Sequence, residues 1–97
     1  MNARFHNRQR RLSASLQTLR LLVKEVGGNY LAGLQADIAR VDRALADVEP
    51  SPRRMAELRR MSDWIDKLDL KPHKGRRRDL KALDKLIKRL TETVEQW

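Results

Sequence analysis

The sequence predicts an all-α fold, an antiparallel four-helix bundle with short connections. Two observations carry this: four apolar series run at helical spacing, and glycine- or proline-containing breaks separate them. No segment alternates apolar and polar residues over a useful length, as a half-buried strand would.

The first series is Leu12, Leu16, Leu19, Val23 and Val26, which places a helix near residues 5–26. The second, Leu31, Leu34, Ile38, Val41, Leu45 and Val48, places one near 30–48. Leu58, Met61, Ile65 and Leu68, widened by Trp64, give a third helix over about 52–69. Leu80, Leu83, Ile87, Leu90, Val94 and Trp97 give a fourth over about 77–96. Steps of three and four put each series on one side of its helix, as the face buried against neighbouring helices. The breaks carry matching chemistry. Gly27-Gly28 supplies a left-handed stop and Asn29 a cap for the next helix. Ser51 suits an N-cap and Pro52 the first helical position, where a missing N–H costs nothing. Pro72 and Gly75 separate the last two helices. Connections this short make sequential neighbours antiparallel. The competing architecture is a set of helical hairpins that completes its core by dimerising.

The 97 residues read as one domain, 1–97, large enough to bury a modest core without a metal or disulfide. Cysteine is absent, which excludes disulfides, thiolate metal sites and cysteine nucleophiles and fits a reducing, cytoplasmic setting. The longest apolar run near the start, Leu21-Leu22-Val23, is far short of a membrane span, so no transmembrane segment is expected. Residues 1–24 lack acids and carry arginine and serine, as transit peptides do, but their core periodicity favours a structural role.

The net charge of +9 is unevenly placed. Residues 1–11 hold Arg4, Arg8, Arg10 and Arg11 and no acid. Residues 51–60 hold Arg53, Arg54, Arg59 and Arg60 against Glu57 alone. Residues 71–78 hold Lys71, Lys74, Arg76, Arg77 and Arg78 with no acid. In an up-down-up-down bundle the first two blocks share one end, and the third lies at the other end beside the Gly27-Gly28 turn. On the fourth helix Lys74, Arg78, Lys81, Lys85 and Lys88 recur opposite the apolar face. That line, roughly 20 Å at 1.5 Å per residue, is long enough to follow several phosphates.

The expected nucleic-acid-binding residues are therefore Lys71, Lys74, Arg76, Arg77, Arg78, Lys81, Lys85 and Lys88. Arg4, Arg8, Arg10, Arg11, Arg53 and Arg54 form a secondary basic cluster. Three arginines at a helix start are not what folding alone asks for, because that end already carries partial positive charge. Two plainer accounts compete. The stripe is a solvated face, or Asp63, Asp66 and Asp69 pair with Arg76–Arg78 in a closed salt-bridge cluster. Asp79 is placed to cap the fourth helix and leave the arginines outside it as a flexible approach.

Other chemistry is thin. His6 and His73 are isolated among cations, and the steps of three between the aspartates set them around one helix rather than about a metal. No metal or cofactor is expected. No phosphate loop, catalytic triad or carboxylate pair is present, so the chain does not read as an enzyme. An all-α enzyme holding an anionic metabolite lacks an acid or base in any recognisable arrangement. Trp64 and Trp97 fall on or beside the apolar series, which suits packing better than base stacking. A helix-turn-helix reader formed by the last two helices would need a shorter turn than the one around Pro72. The expected function is a small basic module that binds nucleic-acid backbone with little sequence specificity. The alternative is a helical adaptor that docks an acidic protein partner. Leu21 lies outside the first apolar series, so it should be exposed, and a homodimer would cover it.

Overall fold

The helices form where the apolar spacing puts them. The computed structural model describes residues 3–97, and its element order is α1 (Ala3–Val26), α2 (Leu31–Asp47), α3 (Pro52–Asp66) and α4 (Arg76–Val94). Short 3₁₀ turns at Gly28–Tyr30 and Pro72–Lys74 lie in the first and last connections. The described residues contain no strand. The result is a helical bundle measuring 46 × 21 × 18 Å.

Side-chain contacts give the directions. Gln9 donates to the Leu45 carbonyl (2.9 Å) and Gln35 to the Arg20 carbonyl (3.1 Å), so α1 and α2 are antiparallel. Trp97 meets Glu57 and Arg89 lies over the Trp64 ring, so α3 and α4 are antiparallel as well. The last two helices are thus not the steeply crossed pair of a helix-turn-helix. Arg40 of α2 reaches Glu95 just beyond α4 (3.6 Å). Around the bundle the order is α1, α2, α4, α3, with α1 and α4 on the diagonal.

The core draws on all four series. Leu12, Leu16, Leu19, Val23, Ile38, Val41, Leu58, Met61, Leu83 and Leu90 are all fully buried. Phe5 and Leu86 join them, although neither belongs to the series read from the sequence. Phe5 lies one heptad before Leu12, so the buried stripe of α1 begins earlier than its leucine run suggests.

The boundaries differ from expectation in three places. Ser51 caps α3 as expected, its Oγ accepting from the Arg54 N–H (3.0 Å), with Pro52 at the helix start. Asn29 does not cap α2: Gly28–Tyr30 forms a 3₁₀ turn, Tyr30 occupies the cap position, and no side chain bonds there. Gly28 does take the left-handed conformation, at φ 53°. Helix α3 stops at Asp66 rather than residue 69. Carboxylates at Asp63, Asp66 and Asp69 oppose the negative end of a helix, which disfavours its extension to residue 69. Helix α4 starts at Arg76 and takes in all three arginines, with Gly75 (φ 112°) just before it.

Candidate nucleic-acid interface

The cationic connection folds onto the end of the bundle through two tethers. The Lys71 backbone N–H donates to Asp79 Oδ1 (2.7 Å), and the Asp79 side chain is buried. Asp79 thus closes the α3–α4 connection and is not the cap of α4. The second tether is Arg76, whose Nε donates to the Val26 carbonyl at the last turn of α1 (3.0 Å). A cation at the carboxyl end of a helix satisfies a carbonyl that the helix leaves unpaired and meets the negative end of its dipole. Gly28 makes the approach feasible, because a β-carbon there would collide with the Arg76 guanidinium. So one of the three arginines has a role in folding, contrary to the expectation that none did. All three lie in the first helical turn rather than on a flexible approach.

Replacing Asp79 with alanine leaves the half-buried Lys71 amide without its acceptor. A loss of about 1 kcal/mol is expected, the net worth of a hydrogen bond whose half-buried donor recovers some hydration. Urea denaturation monitored by circular dichroism measures it. An unchanged midpoint would show that Asp79 does not hold the connection.

The competing account, a salt-bridge cluster of Asp63, Asp66 and Asp69 with Arg76–Arg78, is not what forms among the described residues. Asp66 pairs with Arg11 of α1 (3.7 Å) and Asp69 with Lys71 (3.5 Å). The adjacency of α1 and α3 brings Arg11 to Asp66, while Lys71 is two residues from Asp69 and tethered close by. Among the described residues no carboxylate lies within ion-pair distance of Arg76, Arg77 or Arg78.

The α4 stripe is open. Lys74, Arg78, Lys81, Lys85 and Lys88 are all exposed, and none forms an ion pair among the described residues. Lys74 precedes the helix, so the part carried on α4 itself, Arg78 to Lys88, spans about 15 Å. Arg77, also exposed, flanks it on the side of α2. The next residue in the same line, Glu92, is acidic and ends it. Asp84 lies on the exposed surface of the same helix and lowers the field locally.

The secondary cluster divides. Arg54 is bound to buried Glu57 (2.7 Å) and lies 5.8 Å from the centre of the Trp97 ring, so it is committed to the fold. Arg11 is paired with Asp66. Arg4, Arg8, Arg10 and Arg53 have no carboxylate partner among the described residues. Arg53 borders an open groove of about 560 Å³ between the ends of α2 and α4, but Asp47 and Glu49 line it too, which disfavours an anion. His6 lies in the first turns of α1 and His73 in the α3–α4 connection, at opposite ends of the bundle.

Glu57, Ser62, Asp79 and Thr91 are buried polar residues that spacing alone did not single out. Glu57 and Thr91 border the apolar faces of α3 and α4, a weak signal in the sequence. No helix among the described residues is long and apolar enough to cross a membrane. The chain matches no protein-family model, no curated protein and no solved structure at significant similarity.

Proposed function

We propose that this protein binds the phosphate backbone of nucleic acid along α4 and the turn before it, with little preference for sequence. One observation carries the proposal: Lys74, Arg78, Lys81, Lys85 and Lys88 form an exposed line of cations without acidic partners among the described residues. Successive members are about 5 Å apart along the axis, a spacing suited to tracking a strand of phosphates. Contacts of this kind position a nucleic acid without reading its bases. The lack of cysteine favours the cytoplasm as the setting.

The test replaces Arg77, Arg78, Lys81 and Lys85 with glutamine and leaves Arg76 in place to hold α1. Duplex binding by the unmodified protein should weaken with salt through counterion release. Five neutralised phosphates predict a fall on the order of 500-fold between 50 and 200 mM. The variant's slope should flatten by about one unit for each phosphate it no longer neutralises, with thermal stability unchanged or slightly raised. Absence of duplex binding by the unmodified protein at low salt rejects the proposal.

A second reading, docking to another protein chain or a second copy, is favoured by Leu21 and Tyr30, each 65% exposed. Under that reading the cations meet an acidic protein surface, and light scattering across concentrations reveals self-association.

A further inference from the structure

We infer that the chain carries a second, separate phosphate-binding surface on the opposite side of the bundle, so that one molecule bridges two nucleic-acid segments. The inference rests on the phosphate-binding reading of α4 and adds to it a role for Arg4, Arg8 and Arg59.

The ion pair between Arg11 and Asp66 fixes which side of α1 faces which side of α3. Arg8 and Arg4 precede Arg11 by steps of three and four, so they continue the same face of α1. Arg59 precedes Asp66 by one heptad and continues the corresponding face of α3. The amino ends of α1 and α3 are at the same end of the bundle. Gln9 of α1 bonds Leu45 near the end of α2, and only residues 48–51 separate α2 from α3. Arg4, Arg8 and Arg59 are therefore placed on the adjoining faces of α1 and α3, on the amino-terminal side of the pair that occupies Arg11.

These arginines are free to bind. Arg4 and Arg59 are exposed, Arg8 is half-buried, and none pairs with a carboxylate among the described residues. Phe5 is buried between them in sequence, which roots this end of α1 in the core and holds the guanidinium groups on a formed helix. Asp66 on this face is taken by Arg11, and Asp63, one turn beyond Arg59, forms no ion pair among the described residues, so the three arginines leave a net positive charge that an anion relieves. Guanidinium groups suit phosphate through paired N–H donors.

The direction of this surface separates it from the first. The α4 stripe faces away from Leu83 and Ile87, and so away from α1 on the diagonal. The arginines lie on the side of the bundle formed by α1 and α3, away from the α2–α4 side. The stripe begins at the Gly28 end and the arginines gather at the Pro50 end of a molecule 46 Å long. A single straight duplex lying on one surface leaves the other open.

The test uses the full chain and short DNA duplexes of mixed sequence, half carrying a donor dye and half an acceptor, at low salt. Sedimentation gives the number of duplexes bound per chain, a ratio that self-association does not alter. The expected result is two duplexes per chain, with energy transfer between the dyes at a twofold excess of duplex. A variant with Arg4, Arg8 and Arg59 changed to glutamine should bind one duplex per chain and lose the transfer. A variant with Arg78, Lys81 and Lys85 changed to glutamine should do the same, and circular dichroism confirms that both remain helical. One duplex per chain for the unmodified protein overturns the bridging inference while leaving phosphate binding by α4 intact. No duplex bound at all overturns both.

Discussion

Replacing Ile38 with aspartate abolishes the cooperative helical fold. Ile38 has no exposed surface, and Leu34, Val41 and Leu45 bury the same face of α2. Truncating a buried isoleucine alone costs about 2–5 kcal/mol. A carboxylate in its place finds no counter-charge in an apolar core and adds several kcal/mol more, or takes up a proton at similar cost. A domain of this size has roughly 5–15 kcal/mol of stability in all. Far-UV circular dichroism should show loss of helix and of a cooperative thermal transition. Ile87, 1% exposed on α4, forecasts the same outcome. A variant that melts cooperatively at the original temperature would contradict the bundle.

Replacing Glu57 with alanine has the next largest effect, and its reason is polar. Glu57 Oε1 accepts from Arg54 (2.7 Å) and from the Trp97 indole N–H (3.1 Å). Arg54 also donates to the Gln96 carbonyl (3.4 Å), so one carboxylate joins the start of α3 to the end of α4. Glu57 is 6% exposed, and alanine there leaves a largely buried guanidinium and an indole N–H without their acceptor. Breaking a buried pair costs about 3–5 kcal/mol, but the Arg54 side chain is 20% exposed and recovers some hydration. A net loss of about 2–3 kcal/mol follows, or a melting temperature lowered by roughly 10–20 °C. Glutamine retains one acceptor oxygen and should fall between. A loss below about 1 kcal/mol would mean that the network follows from the packing and does not support it.

The contrast between these two residues marks what spacing can tell. Ile38 is legible because its neighbours at three and four residues repeat the same preference, and a helix converts that repetition into a buried face. The Ser51-Pro52 cap is legible because its partner is three residues away. Glu57 is not, since its burial depends on Trp97, forty positions later in the chain. Arg76 is harder still: its acceptor is the carbonyl of Val26, and a main-chain carbonyl leaves no trace in side-chain pattern. The pairing of Asp66 with Arg11 follows from α1 and α3 being neighbours, an order around the bundle that apolar periodicity does not encode. The exposed cations of α4 are legible as a line, because one helix carries most of them, whereas any grouping of Arg4 and Arg8 with Arg59 requires two helices to be placed together.

The tethers on the α3–α4 connection bear on the entropy of whatever this end of the molecule meets. A nine-residue connection (residues 67–75) ordinarily retains conformational freedom that a ligand must remove on binding, at about 0.5–1.5 kcal/mol for each rotamer-rich side chain it immobilises, besides the backbone. Here Asp79 holds the backbone at Lys71, and Arg76 fastens the next helix to the end of α1, so folding itself has already restricted the main chain. Only the outer bonds of the exposed lysines and arginines are left to settle. Contact with a charged strand at this end would then resemble docking to a formed surface, with association limited by encounter rather than by rearrangement of the turn.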